Sequence, residues 1–391
     1  MMDPARLDPA RFDPDAFLRD HWQRRPLVLR NPWTGWSNPL PADELAGLAC
    51  EAEVESRLVT GAAGAWRMES GPLPEHRFAE LTGAPWTLLV QAVDQHVPEV
   101  AALIAAFRFI PDWRIDDVMV SYATAGGGVG PHFDQYDVFL IQGAGRRRWQ
   151  LGGRCDDGTP LLPHPDLRLL ADFGVEEEWL LEPGDILYIP PGIAHDGVAL
   201  DDECMTYSIG FRAPSRAELI EGWTDHLLDA LGDDAREDDR YADPGLPRQD
   251  NPGEITPDAL ARLQSMATAA LLDAEGFARW FGQHSTRPKY PDIDWRPERE
   301  LAADDIRAAI AAGAPLVRNP AARMSFIRQG GTDLLLFVNG TCLPCTGSAA
   351  TLAERLCAAG GEPVRPGTVD DAALSLLLAL VNDGAAGFDA D

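Results

Sequence analysis

Residues 126–151, GGGVGPHFDQYDVFLIQGAGRRRWQL, carry the pattern from which the rest of the chain is read. His132 and Asp134 form an H-x-D pair at the start of an expected strand. A tight turn follows at Gly143, Ala144 and Gly145, and then a second strand carries Arg146, Arg147 and Arg148. Alternate strand residues project to one face of a sheet, so this reading puts the His132 imidazole and the Asp134 carboxylate side by side. Two such donors leave a metal site one ligand short.

The missing donor comes from residues 182–195, EPGDILYIPPGIAH. An apolar strand is followed by a stiff Pro-x-Gly turn that aims His195 into the mouth of a barrel, 61 residues after Asp134. Two imidazoles and one carboxylate on one face of a metal leave three positions open, the arrangement of non-haem Fe(II) oxygenases. No glutamate stands close behind the H-x-D to make a fourth ligand. An H-x-D alone arises by chance in many chains, so the reading rests on its agreement with the histidine turn and the strands between.

The arginine run adds a second requirement. On a strand from Arg146, residues 147, 149 and 151 (Arg, Trp, Leu) alternate with the polar set Arg146, Arg148 and Gln150, and the first set faces the core. An unpaired guanidinium in a barrel is costly, so Arg147 needs an anion. Beside a metal with open positions, the natural anion is the distal carboxylate of a bound co-substrate, held bidentately. Arg146 and Arg148 read as solvated surface.

These residues resemble the JmjC-type, 2-oxoglutarate-dependent ribosomal oxygenases of the cupin superfamily, and within them the bacterial arginine hydroxylases of large-subunit ribosomal protein sixteen (uL16). GGGVGPHFDQYDVF and GAGRRRW carry the resemblance, and residues 17–30, FLRDHWQRRPLVLR, are similar to that family's amino-terminal segment. It covers about residues 10–215 strongly and the remainder in layout. The resemblance implies Fe(II) on His132, Asp134 and His195. It also implies 2-oxoglutarate on Arg147, assisted by Ser121, with O2 as oxidant and a homodimer built by helices after the barrel.

The expected fold class is α+β: a double-stranded β-helix over residues 1–213, a helical dimerisation region over 214–290, and a small winged-helix-like domain over 291–391. The 391 residues and 45% hydrophobic content allow two or three cores. Neither a cleavable leader nor an apolar run long enough to span a bilayer is legible, which gives a cytoplasmic, non-membrane expectation. Six scattered cysteines argue against a disulfide scaffold, and Cys342-Leu-Pro-Cys345 lacks the further ligands a structural zinc needs.

The net charge of −29, with one lysine (Lys289) against 32 arginines, disfavours direct nucleic-acid binding and suits a basic polypeptide partner. Compositional bias of the genome explains the same numbers equally well.

Along the chain, helices are expected at residues 39–50 and 97–109, and strands at 26–30, 54–60, 65–70, 86–93 and 117–122. Asp116 and Asp117 read as turn residues before the glycine-rich loop, or as carboxylates for an arginine substrate. Tyr136, two residues beyond Asp134 and on the same strand face, and Ser208 are further substrate candidates. Residues 155–178 form a long polar connection, and strands follow at 179–182, 186–189 and 205–212. Ser215 and Glu218 make a capping box that opens a helix to about Leu231. An acidic linker follows at 233–243, then an amphipathic helix at 257–281.

The last hundred residues read as a helix (303–311), strands (325–328 and 334–338) with an Asn339-Gly340 turn, and helices (349–358 and 370–381). The final helix has no basic residue, so this unit is expected to contact protein rather than DNA. Three rival functions remain. A 2-oxoglutarate oxygenase of a histidine or lysine in another basic protein would keep the same triad. A metal cupin needing no co-substrate would leave Arg147 unpartnered. A silent binding module would not need the triad at all.

Overall fold

The computed structural model describes residues 6–61, 66–233 and 240–389. Its amino-terminal strands are β1 (Leu27–Leu29), β2 (Ser56–Thr60), β3 (Arg67–Ser70), β4 (Trp86–Val90), β5 (Ile115–Ala123), β6 (Asp137–Ala144), β7 (Arg147–Arg154), β8 (Glu177–Leu181), β9 (Ile186–Ile189), β10 (Ile193–Ala199) and β11 (Cys204–Phe211). They form two facing antiparallel sheets. The larger runs β1-β9-β6-β11-β5-β4-β2-β3, and the smaller runs β10-β7-β8. This is the double-stranded β-helix expected from the motifs.

Burial explains why the central strands read as they do. β6, DVFLIQGA, lies between β9 and β11 and is buried on both faces, so its sequence is a continuous apolar run rather than an alternation. One face, with Val138 and Leu140, meets Trp149, Leu151, Leu187 and Ile189 inside the barrel. The other, with Phe139 and Ile141, joins the outer core of Phe17, Phe107, Tyr188 and Phe211. Short helices α1 (Pro14–Asp20), α2 (Ala42–Leu48), α3 (His76–Ala79) and α4 (Pro98–Ala101) belong to this half. Phe17 of α1 meets the Tyr188 ring edge-on at 4.8 Å.

Two expected helices are broken. Residues 97–109 form α4 and then a 3₁₀ stretch at Ala102–Phe107, because the buried Val97, Val100 and Leu103 are spaced by three, the period of the tighter helix. Residues 257–281 divide into α6 (Pro257–Ala269) and α7 (Ala274–Ser285), after α5 (Arg216–Asp233). Asp273 accepts from Glu275 N and Gly276 N and restarts the helix. The capping box before α5 forms, with Glu218 N donating to Ser215 Oγ at 3.1 Å and Ser215 N to Glu218 Oε2 at 2.6 Å. Of the expected acidic linker, residues 234–239 lie outside the described residues, as does Ala65 of the expected strand at 65–70.

The carboxy-terminal unit holds α8 (Ala303–Ala311), β12 (Leu316–Arg318), β13 (Met324–Gly330), β14 (Asp333–Val338), β15 (Thr341–Cys345), α9 (Gly347–Ala359), α10 (Asp371–Asn382) and β16 (Ala386–Phe388). β13, β14 and β15 make one small sheet and β12 pairs with β16. Asn339 and Gly340 both have positive φ, +48° and +84°, the turn an Asn-Gly pair favours, and here it joins β14 to a third strand the sequence reading omits. Cys342 and Cys345 both sit on that strand, three residues apart and therefore on opposite faces, which does not build a metal site. α7 packs on this sheet, with Gly282 so close that a Cβ would meet the Phe337 ring at 2.4 Å.

Candidate active site

His132 and Asp134 are not on a strand. They stand before β6 on an irregular segment tied to the small sheet by a two-way backbone bridge, His132 N to His195 O at 3.0 Å and His195 N to His132 O at 2.8 Å. Gly192 N donates to Asp134 O at 2.7 Å. His195 is on β10 itself, beyond the Pro-Pro-Gly turn. Backbone pairing, rather than strand alternation, brings the three side chains together.

One ligand atom from each of His132, Asp134 and His195 lies within 4.8 Å of the others. Both imidazoles have a carbonyl on their inner nitrogen: His132 Nδ1 meets Gly130 O at 2.9 Å and His195 Nδ1 meets Ile193 O at 2.9 Å. A carbonyl only accepts, so Nδ1 carries the proton in each ring and Nε2 is left as a lone pair. Burial, reinforced by neighbouring His132, holds His195 down to about 4, so it is neutral at physiological pH. Two imidazoles and a carboxylate, with the second nitrogen of each ring already held by a carbonyl, fit a divalent metal of the non-haem iron type.

Arg147 opens β7 and is 4% exposed. Its Nη1 donates to Gly197 O at 3.3 Å, and the guanidinium lies 5.8 Å from the centre of the Trp149 ring. Nε and Nη2 are buried and have no hydrogen-bond partner among the described residues. A buried cation left in this state is strongly unfavourable unless an anion completes it. Ser121 lies on the interior face of β5, paired with Thr206 of β11, but among the described residues no hydrogen bond joins it to Arg147.

A cavity of about 1080 Å³ lies between the barrel and α5 and α7, and takes in Asp116, Asp117, Met119, Tyr136, Ser208 and Lys289. The four substrate candidates therefore share one cavity. Tyr136, however, is not on the strand face with Asp134 but on the bend ahead of β6, and its ring is 42% exposed. The protein around its hydroxyl, together with Asp134, raises its pKa above the ordinary tyrosine value.

Asp116 and Asp117 both belong to β5, of which the expected strand at 117–122 takes in only the second, and both are already engaged rather than solvated in a turn. Lys289 Nζ donates to Asp116 Oδ2 and Asp117 Oδ2, each at 2.9 Å, and Arg323 Nη2 donates to Asp116 Oδ1 at 2.9 Å. These two cations, more than 170 residues away along the chain, carry no motif that would have placed them here. The Gly130 and Ile193 carbonyls are backbone features that no residue type announces.

A barrel of this topology with such a triad defines a JmjC-type domain, and the JmjC domain family matches residues 102–219. The ROXA-like winged helix family matches residues 268–387, a span that takes in α7. The ribosomal protein uL16 3-hydroxylase of Escherichia coli K12 is 41% identical over 371 residues, 94% of this chain and 95% of that one. Solved structures of the E. coli ribosomal oxygenase YcfD superpose over 99% of this chain and 100% of theirs. The complex with cobalt and succinic acid gives a TM-score of 0.82 at 38% identity, and the complex with cobalt and 2-oxoglutarate 0.78 at 36%. The chain belongs to the JmjC ribosomal oxygenases, the family of the uL16 3-hydroxylase. No described helix is long and apolar enough to cross a membrane.

Proposed function

We propose that the chain is an Fe(II)- and 2-oxoglutarate-dependent dioxygenase that hydroxylates an arginine of the large-subunit ribosomal protein uL16. The observation that carries this reading is the buried Arg147 guanidinium, two of whose nitrogens find no acceptor among the described residues, inside a barrel that also gathers His132, Asp134 and His195. A metal cupin without a co-substrate would have no use for that cation. The family relatives, an E. coli uL16 3-hydroxylase and a YcfD structure holding 2-oxoglutarate, support the same co-substrate and substrate class.

Iron held there would, with 2-oxoglutarate and O2, supply oxidative decarboxylation to succinate and CO2 coupled to hydroxylation of an unactivated C–H bond. His132 Nε2, His195 Nε2 and an Asp134 carboxylate oxygen are the donors that would hold the metal. The Gly130 and Ile193 carbonyls keep both rings in the ligating tautomer. Arg147 Nε and Nη2 take the distal carboxylate of 2-oxoglutarate, with Ser121 on the adjacent wall. Val138, Leu140, Trp149 and Leu187 close the interior and keep water from the oxidising centre. Substrate enters through the cavity lined by Tyr136, Ser208, Asp116 and Asp117, and the −29 charge favours a basic ribosomal protein over nucleic acid.

The protein is proposed to act in the cytoplasm as a homodimer, with the barrel to residue 213, the helical region at 214–290 and the winged-helix unit beyond. Support for the dimer is the apolar face of α6, where Leu260, Leu263 and Met266 are 53%, 45% and 40% exposed. Light scattering of the purified protein tests it, and a monomeric mass would remove it. The activity is tested by mass spectrometry of recombinant uL16 after incubation with enzyme, Fe(II), 2-oxoglutarate and O2. One added oxygen on one arginine is expected. Succinate release without that mass gain would move the substrate to another basic protein.

A further inference from the structure

Residues 155–176, the long connection between β7 and β8, contain a histidine that is not among the gathered metal donors. His164 Nδ1 receives two backbone donors of its own turn, Asp166 N at 3.1 Å and Leu167 N at 3.0 Å. An atom that accepts twice carries no proton, so the ring proton sits on Nε2. Nε2 faces Trp66 O at 3.2 Å and donates to it. Trp66 stands immediately before β3, the outermost strand of the larger sheet, so this bond ties the connection to the edge of that sheet. The same two elements enclose the segment that carries His132. Gly130, at φ +83°, is so closely covered that an added Cβ would meet Trp66 Cζ2 and Leu169 Cδ2 at 3.0 Å each. Leu170 N donates to Pro131 O at 2.9 Å, and Leu169 and Leu170 are both buried. The Gly130 carbonyl in turn takes the Nδ1 proton of His132 at 2.9 Å.

We propose that His164 is a positioning residue for the metal ligand His132, acting through Trp66 and Gly130. The inference rests on the reading of His132 as an iron ligand and adds what sets its ring. A carbonyl orients an imidazole only as well as its own peptide is held. Glycine has the freest backbone of any residue, so the Gly130 peptide has to be fixed from outside. Trp66 and Leu169 fix it from two separate parts of the chain, one at the edge of the larger sheet and one in the connection. Within the connection, Leu162 N donates to Leu169 O at 2.8 Å and Leu161 bridges Leu170, which closes a small loop around His164. Among the described residues, no other hydrogen bond joins residues 155–176 to residues 66–70. The His164 bond is therefore what brings Leu169 and Trp66 to bear on Gly130 together.

Two substitutions separate the two ring nitrogens. In His164→Asn the side-chain oxygen takes the place of Nδ1 and keeps the turn, but nothing reaches Trp66. In His164→Gln the amide nitrogen takes the place of Nε2 and keeps the bond to Trp66 O, while the turn loses its acceptor. The test is calorimetric titration of the metal-free, full-length proteins with Co(II), followed by the visible absorption of the bound Co(II). Affinity should fall roughly tenfold to a hundredfold in His164→Asn, the range for loss of a group that orients a ligating histidine, and stay within about threefold of wild type in His164→Gln. The absorption bands should shift in His164→Asn and not in His164→Gln. Wild-type affinity in His164→Asn would overturn the proposal. So would an equal loss in both variants, since His164 would then serve its own turn rather than Trp66. If wild type itself takes up no Co(II), the reading of the triad as a metal site fails, and the role of His164 falls with it.

Discussion

Arg147 and Asp117 are both charged, both on strands that line the barrel, and both nearly closed to solvent, at 4% and 3% exposure, yet their partners differ in kind. Arg147 has one carbonyl and a neighbouring indole, with two nitrogens left bare. Asp117 has a lysine, an amide side chain and a backbone N–H gathered on one oxygen. A charge the fold leaves unpaired marks where a ligand of opposite charge belongs. A charge the fold pairs on one side only is oriented, and its free atom is the informative one. The Arg147 end of the barrel is thus built to be completed, and the Asp117 end to be held in shape.

Removing the metal ligands bears on the first half of the contrast most severely. His132→Ala and Asp134→Ala should lose bound iron, measured by elemental analysis, and lower succinate formation by about three orders of magnitude or more. Retained turnover in either would remove its residue from the metal.

Arg147→Met separates an unpaired charge from a structural one. The KM for 2-oxoglutarate should rise about a hundredfold, in line with loss of a bidentate charged pair. The ligand-free variant should melt at the same temperature as wild type or higher, because an uncompensated buried cation has gone. A large fall in melting temperature would mean that Arg147 serves the fold.

A smaller effect is expected at Gly197, whose carbonyl takes Arg147 Nη1 and whose Cβ position lies 2.6 Å from the Trp149 ring. Gly197→Ala should displace that ring, lower stability by about 1–3 kcal/mol and raise the 2-oxoglutarate KM several-fold.

A pH-dependent effect probes the paired end. Asp94 donates no charge to solvent: it is 5% exposed, with Val118 N on its Oδ1 at 2.8 Å, and burial, with Asp117 nearby, raises its pKa from 3.8 to about 7. A raised folded-state value means that the stabilising contribution is full below 3.8 and is lost as pH rises through about 7. Urea unfolding from pH 4 to pH 8 should therefore show wild type losing stability relative to Asp94→Asn. Parallel curves would show that Asp94 does not titrate in this window.

The metal end was legible because its chemistry is written in side chains. H-x-D, the Pro-Pro-Gly-x-x-His turn and the alternation around Arg147 each name a residue type whose burial has a reason. The geometry behind them was less legible: His132 and Asp134 meet His195 through a backbone bridge, and no side-chain pattern encodes a bridge between residues 63 positions apart. Asp116 and Asp117 suit a turn by residue type, since aspartate is depleted from strands, although the strand expected at 117–122 already takes in Asp117. Lys289, Arg323 and Gln91 reverse that preference once tertiary structure delivers them. The break at Asp273 follows from a cap that competes with an otherwise continuous apolar period, and β15 was hidden by Pro344, a residue that argues against a strand.

Arg147 is the proposed anchor of the distal carboxylate of 2-oxoglutarate. The most direct measurement is calorimetric titration of metal-loaded wild type and Arg147→Met with 2-oxoglutarate and with 2-oxobutyrate, which lacks the distal carboxylate. Wild type should prefer 2-oxoglutarate by roughly a hundredfold and the variant should bind the two alike. Equal affinity of wild type for both keto acids would show that Arg147 does not bind the distal carboxylate.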